Sequence, residues 1–180
     1  WYVGTMPPRV TYKDTINYPI YTPGTFSVML VVRDTNNCFD TARTMITISS
    51  VTANFAITSS SVGCLPLYVM TSTNTSVSDA PLTYVWNYGD PSSGSANTGT
   101  VVNGSHNYTT ATSPSQTFTI TVIATNTNNC KDTAQTTVTV SAPQPIISPS
   151  STNSICVNSS LTFNASNVVG AVNYVWNYND

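Results

Sequence analysis

Charged side chains are scarce in this sequence. Lys, Arg, Asp and Glu together supply 7% of 180 residues, where globular proteins ordinarily carry about a quarter. An ordinary cytosolic enzyme surface is therefore excluded, and hydration falls to Thr, Ser and Asn. The formal net charge is -2, with neither a basic run nor an acidic tail, so nucleic acid and anionic lipid have no electrostatic footprint and nucleic acid is not expected as a partner. No stretch approaches the roughly 18 to 20 apolar residues of a membrane-spanning helix, so this segment is not expected to insert in a membrane. Trp1-Tyr2-Val3-Gly4 lacks the charged and apolar regions of a signal peptide, which places any export signal elsewhere. No window has a helical period with caps. His106 is the sole histidine, and no nucleophile or orienting acid is nominated beside it, so no catalytic residue is expected. The four cysteines, Cys38, Cys64, Cys130 and Cys156, form no C-x-x-C pair, which excludes zinc-ribbon and thioredoxin-like sites and leaves extracellular disulfides as the default.

What is present is repetition. Thr35-Asn36-Asn37-Cys38-Phe39-Asp40-Thr41-Ala42 returns without a gap as Thr127-Asn128-Asn129-Cys130-Lys131-Asp132-Thr133-Ala134, an offset of 92. Phe26 and Phe118 share that offset, as do Cys64 and Cys156, while Trp86 and Trp176 lie 90 apart. The period is about 90 residues, with two residues lost in one loop. Residues 1–50 read as the back of one repeat, 51–142 as a complete repeat and 143–180 as the front of a third. Because a front third cannot cover its own apolar face, the sequence is expected to be part of a longer array.

The stretch Tyr84-Val85-Trp86-Asn87-Tyr88-Gly89-Asp90 marks the complete repeat. As a strand it turns Tyr84, Trp86 and Tyr88 to one face and Val85 and Asn87 to the other, and the following Gly-Asp makes a turn. Strands are also predicted over residues 54–58, from 65 onward, and through the alternation of Phe118, Ile120, Val122 and Ala124; Thr136, Val138 and Val140 lie on the last. Residues 91–103 read as loop with a short edge strand. Short β-branched strands with frequent turn signals predict an all-β sandwich. Pro143, Pro145 and Pro149 at the second junction restrict φ and predict a semi-stiff rod.

These residues resemble the polycystic kidney disease (PKD) domain, an immunoglobulin-like β-sandwich whose signature runs W-D-F-G-D-G, then H-x-Y and P-G-x-[YF]. Here Trp86-Asn87-Tyr88-Gly89-Asp90-Pro91 and His106-Asn107-Tyr108 take the first two places, and Tyr21-Thr22-Pro23-Gly24-Thr25-Phe26 the third. The departures at Asn87 and Pro91, and the missing Pro-Gly before Phe118, weaken any inherited acidic site. Tandem arrays with single paired cysteines and Asn-Asn-Cys turns resemble stalks of large surface adhesins of gliding bacteria exported by type IX secretion. The resemblance implies a non-catalytic extracellular stalk at the outer-membrane exterior, partnered by neighbouring repeats of the same chain, with polysaccharide or protein ligands bound through other parts of the molecule. The alternative it implies is an accessory module of a secreted protease or polysaccharide-degrading enzyme.

Within that fold Trp86, Trp176, Phe26, Phe118 and Tyr108 are expected in cores, with Tyr108 as a tyrosine-corner analogue whose hydroxyl reaches nearby backbone. His106 is expected in a turn, its ring packed beside Tyr108. A Cys64–Cys130 bridge is opposed by the sandwich, which puts the two turns at opposite ends, beyond the roughly 7 Å that a disulfide spans. The preferred expectation joins cysteines of adjacent repeats, Cys64 with a partner beyond residue 180 and Cys130 with one before Trp1. Thr15, Thr41 and Thr133 follow aspartate in D-T-[small aliphatic] triplets that resemble O-glycosylation motifs of the same bacteria. Asn74, Asn103, Asn107, Asn158 and Asn164 begin N-x-[ST] sequons, which Ser/Thr-rich chains produce freely. Asp79, Asp90, Asp132 and Asp180 offer calcium-type oxygens, but no D-x-[DN]-x-[DN]-G loop exists and single turn aspartates usually cap their own backbone, so neither metal nor cofactor is expected. Tyr12, Tyr18 and Tyr21 could form a sugar-stacking patch; strand packing is the simpler reading.

Overall fold

The computed structural model describes residues 2–3, 15–112, 114–143, 145–149, 154–166 and 172–177. In chain order its elements are β1 (Tyr2–Val3), β2 (Gly24–Arg33), β3 (Phe39–Ile48), β4 (Val51–Thr52), β5 (Phe55–Ile57), β6 (Val62–Cys64), β7 (Tyr68–Asn74), β8 (Val77–Ser78) and β9 (Leu82–Asn87). A 3-10 segment (Pro91–Asn97), β10 (Thr98–Gly99), β11 (Ser105–Tyr108), β12 (Ser115–Asn126), β13 (Lys131–Ser141), β14 (Ile146–Pro149) and β15 (Phe163–Ser166) follow.

Between β5 and β13 two sheets face each other, one in the order β11-β7-β5 and one in the order β10-β9-β12-β13-β6. All neighbours are antiparallel except β6, which runs parallel to β13. The first and last strands thus lie on different sheets, with a short parallel strand crossing to the second, and the fold is an all-β, immunoglobulin-like sandwich. Alternation decides which side chains meet inside. Phe118, Ile120, Val122 and Ala124 on β12 are buried, as are Val138 and Val140 on β13, while Thr117, Thr119 and Thr137 between them face water.

Trp86 is the penultimate residue of β9, fully buried opposite Val122, with Phe55 edge-on at 5.0 Å and its indole N–H donating to Val101 O at 2.8 Å. Tyr88 is buried beside it, Tyr84 is half-buried, and Val85 and Asn87 face outward, as the alternation predicts. A β-carbon at Gly104 would lie 2.9 Å from the indole ring, so the ring can pack this close to the backbone only because that residue is glycine.

The hairpin β2–β3 repeats β12–β13 residue for residue. Phe26 pairs with Ile46 as Phe118 pairs with Val138, each pair 92 positions from its counterpart. The turns agree as well. Asp34 Oδ1 accepts from Asn36 N and Cys38 N, both at 2.8 Å, and Asn126 Oδ1 accepts from Asn128 N and Cys130 N, both at 3.0 Å. Asn37 and Asn129 both take left-handed φ, +64° and +62°, a conformation that asparagine tolerates better than most residues.

Two expected core positions differ from that expectation. Phe26 is only half-buried, because among the described residues β1, β2 and β3 form a sheet with none stacked on it. Trp176 is 38% exposed, in a segment (172–177) without assigned strand, and its ring contact is Phe163 at 6.3 Å. Among the described residues no strand pairs beside Trp176 as β12 pairs beside Trp86. Residues 91–97 form the 3-10 segment rather than open loop, with Gly94 at φ +60° between two short turns; the short edge strand is β10.

Candidate functional site

Two sets of polar residues stand out, one inside the sandwich and one at the pole where the chain enters it. The inner set is built by β9 and β11, which bring Asp90 and His106 together across the core. His106 Nε2 lies 3.0 Å from Asp90 Oδ2, and both side chains are 3% exposed. Ser92 Oγ donates to Asp90 Oδ1 and shares a 2.9 Å hydrogen bond with Thr110 Oγ1. Burial raises the Asp90 carboxyl, but hydrogen bonds from Ser92 and His106, and the His106 charge, outweigh it and hold the group below its ordinary value. Asp90 is therefore ionised at neutral pH, and His106 donates to it through Nε2.

His106 stacks on Tyr88 at 4.8 Å and meets Tyr108 edge-on at 4.6 Å. It lies on β11, not in a turn, but its ring does pack beside Tyr108. Asp90 accepts both side-chain hydrogen bonds, so it separates Ser92 from His106. A serine activated by histidine needs the reverse order, with the imidazole between hydroxyl and carboxylate. The cluster is arranged to fill a core.

Tyr108 is fully buried and its hydroxyl donates to Tyr88 O at 2.6 Å. A tyrosine corner ties to backbone a few residues upstream; this hydroxyl reaches 20 residues back to the strand end of the facing sheet and joins the two layers. Burial, and then the nearby Asp90 charge, raise the Tyr108 hydroxyl far above its ordinary value, so it stays a donor. An open groove beside this cluster is lined by Asp90, Pro91, Ser92, Thr110, Ala111 and Gln116. It presents no aromatic platform.

The outer set lies at the proximal pole. Asn126, 3% exposed, donates through Nδ2 to Ser49 Oγ (2.7 Å) and Ser78 Oγ (3.1 Å). Asp79 Oδ1 accepts from Ser49 Oγ at 2.8 Å and Ser50 N at 3.0 Å, and Asp132 Oδ2 accepts from Ala53 N at 2.8 Å. The Ser49 hydroxyl, then the Ser50 N–H, draw the Asp79 carboxyl below its ordinary value; the Ala53 and Thr133 N–H groups do the same for Asp132. These aspartates hold backbone from far along the chain, not only their own turns. Among the described residues no group of three or more His, Cys, Asp or Glu could hold a metal.

The cysteines occupy the two poles. Cys130 sits in the β12–β13 turn, its sulfur 3.6 Å from Ser49 O, while Cys64 is the Cα partner of Ser141 at the far end of β13. The full β13 strand lies between them, about 35 Å at about 3.3 Å per residue. No Cys64–Cys130 bond is possible in this fold, and all four cysteines are free thiols, with Cys38, Cys64 and Cys156 exposed.

Thr15, Thr41 and Thr133 are exposed, whereas Asp14 of the first triplet lies outside the described residues. Of the sequon residues, Asn103, Asn107, Asn158 and Asn164 are exposed; Asn74 is half-buried, its amide donating to Val102 O at 3.0 Å. Tyr21 is 90% exposed and Tyr18 half-buried, while Tyr12 and Asp180 lie outside the described residues. The pairing of Asp90 with His106 and the outer set escaped the sequence reading. The one signal for the first was a Gly-Asp turn and an H-x-Y strand within one repeat.

No family model matches the chain, and no curated protein matches it. Among solved structures it is similar to the PKD1 domain of Vibrio anguillarum Epp, with 21% identity and a TM-score of 0.40 over 52% of this chain and 96% of that one. It is likewise similar to the PKD1 domain of the Vibrio cholerae metalloprotease PrtV, with 23% identity and a TM-score of 0.40 over 52% of this chain and 99% of that one.

Proposed function

We propose that this chain is a tension-bearing segment of an extracellular stalk, built from tandem PKD-type sandwiches, that carries a surface adhesin's binding parts away from the cell. The role is mechanical and non-catalytic. The observation that carries it is the path of the chain through the central sandwich. It enters beside the β12–β13 turn, where Ser49 meets Asn126, and leaves at the opposite pole, where Ser141 pairs with Cys64. Pulling on the two ends therefore draws β13 lengthwise along β6. Thr139 N–Ser61 O (3.0 Å) and Leu65 N–Ser141 O (3.1 Å) lie in that short parallel patch and must break together rather than one at a time.

Repetition supports the array. The β2–β3 hairpin copies β12–β13 at an offset of 92, and β14 pairs with β15 about as β5 pairs with β7 one period earlier. With Cys64 at one pole and Cys130 at the other, end-to-end stacking would bring each of these free thiols to a cysteine of an adjacent repeat, so we assign disulfide formation to the joints of the array. Glycosylation at Thr41 and Thr133, and service in gliding motility after type IX export, belong to the same reading and rest on the resemblance. A catalytic domain beside one or two repeats in the parent polypeptide would instead make these domains spacers of a secreted hydrolase.

Single-molecule stretching of the chain between its termini tests the mechanical reading. The central sandwich is expected to rupture in one abrupt event, at a force that drops when the β6–β13 pairing is weakened. Gradual low-force peeling would refute it.

A further inference from the structure

The two junctions in this chain differ in chemistry. At the first, Ser49, Ser50 and Ala53 are gripped by side chains of the central sandwich. Ser49 Oγ donates to Asp79 Oδ1 at 2.8 Å and accepts from Asn126 Nδ2 at 2.7 Å and Asn128 Nδ2 at 3.0 Å. Ser50 is held on both sides, its N–H by Asp79 at 3.0 Å and its carbonyl by Ser78 Oγ at 2.8 Å. Asp132 takes the Ala53 N–H at 2.8 Å, and β4 pairs with β8 between these points. One serine hydroxyl is thus donor and acceptor at once, and the backbone is held at Ser50, along Val51–Thr52 and at Ala53.

At the second junction the same grip cannot form. Ninety-two positions after Ala53 stands Pro145, and after Val51 stands Pro143, so the N–H that Asp132 accepts has no equivalent. Residues 146–179 contain no Asp or Glu, so the Asp79 carboxylate has none either. The prolines narrow φ locally but offer no N–H through which the next unit could be tied. A third variation appears in the first unit, where Asp34 stands at the Asn126 position. Its carboxylate accepts both turn N–H groups at 2.8 Å, as Asn126 does, but has no N–H to give a serine.

We propose that the junction at residues 49–53 is a clasp that fixes the first unit on the second at a single angle, while the junction marked by Pro143 and Pro145 lacks that clasp and lets the angle vary. The inference rests on the tandem-stalk reading and deepens it. The stalk is jointed, and the identity of a few polar residues determines which joints bend. Ser at position 49, a residue with an N–H at 53, Asp at 79 and Asn at 126 mark a clasped joint wherever the repeat recurs.

Pulsed-EPR distance distributions on the 180-residue chain test this, with the four native cysteines changed to Ser. Spin labels at Arg43→Cys and Gln135→Cys span the first junction; labels at Gln135→Cys and Asn164→Cys span the second. The first distribution is expected to be several-fold narrower than the second. Asp79→Ala should broaden the first and leave the second as it was. Asn126→Asp, which retains the turn acceptor as Asp34 does, should do likewise without unfolding the domain, as checked by Trp86 fluorescence. Equal widths across the two junctions, or a first distribution that neither variant broadens, would overturn the clasp. The two readings fail separately, since peeling at low force defeats the tension reading without altering these widths, and equal widths defeat the clasp without altering the rupture force.

Discussion

Replacing Tyr108 by Phe removes one oxygen from the middle of the sandwich and changes almost nothing else. The ring keeps its contacts with Phe118 at 4.4 Å and His106 at 4.6 Å. What disappears is the 2.6 Å hydrogen bond to Tyr88 O, in a site where Tyr108 is fully buried and Tyr88 is 2% exposed. A buried acceptor left without its donor loses its desolvation compensation, which costs about 1–3 kcal/mol. A loss of about 2 kcal/mol lowers the melting temperature of a domain this size by about 8–16 °C. The measurement is urea unfolding followed by Trp86 fluorescence, in a background with Trp1 and Trp176 changed to Phe. The midpoint should fall at an unchanged slope, since the surface exposed on unfolding is the same. A shift below about 0.5 kcal/mol would show that the hydroxyl does not tie the layers together, and the account of the core built on it would fail.

Three further outcomes follow from the same structure. Gly63→Ala places a β-carbon 2.0 Å from the buried Tyr68 ring, so β6 must shift off β13; stability should fall by about 1–3 kcal/mol, with a lower rupture force, and wild-type values for both would contradict the β6 placement. In acid, Asp90 should contribute to the central domain's loss of stability: its folded value lies below its ordinary one, so the native state holds fewer protons, and the contribution is complete above about pH 4 and lost as pH falls through the folded value. Asp79 and Asp132 shift the same way at the surface, so the diagnostic comparison is with Asp90→Asn, whose unfolding profile should be flatter below pH 4. Finally, alkylation of this 180-residue chain without reductant should label Cys64 and Cys130 together on the same molecules, whereas a peptide map linking the two would contradict the fold.

How much of this could be read beforehand depended on whether the determining contacts were local. The alternation of Phe118 to Ala124 made β12 legible, since period two follows from the pleat alone. The copied Asn-Asn-Cys turn was legible because the same side-chain-to-backbone bonds recur wherever those residues do. By contrast, β6 is three residues among serines, and it is a strand only because β13 lies alongside it. His106 and Asp90 are 16 residues apart, and what buries them together is the crossing of two sheets. Ser49 and Asn126 are 77 apart; neither announces a partner, and only the fold brings the hydroxyl to the amide. Trp176 shows the converse, a local pattern repeated without, among the described residues, strands that enclose it.

The opposite placement of the two ends of the central sandwich sets how far the molecule can lengthen. Folded, the unit spans about the length of β13, about 35 Å at about 3.3 Å per residue. Drawn out, its period of 92 residues reaches roughly 300 Å. In the stalk proposed above, one domain giving way would add several times its own folded length and relieve the strain on its neighbours before any of them failed. A column of such units would then yield stepwise under a sudden pull, each lost fold cushioning the rest.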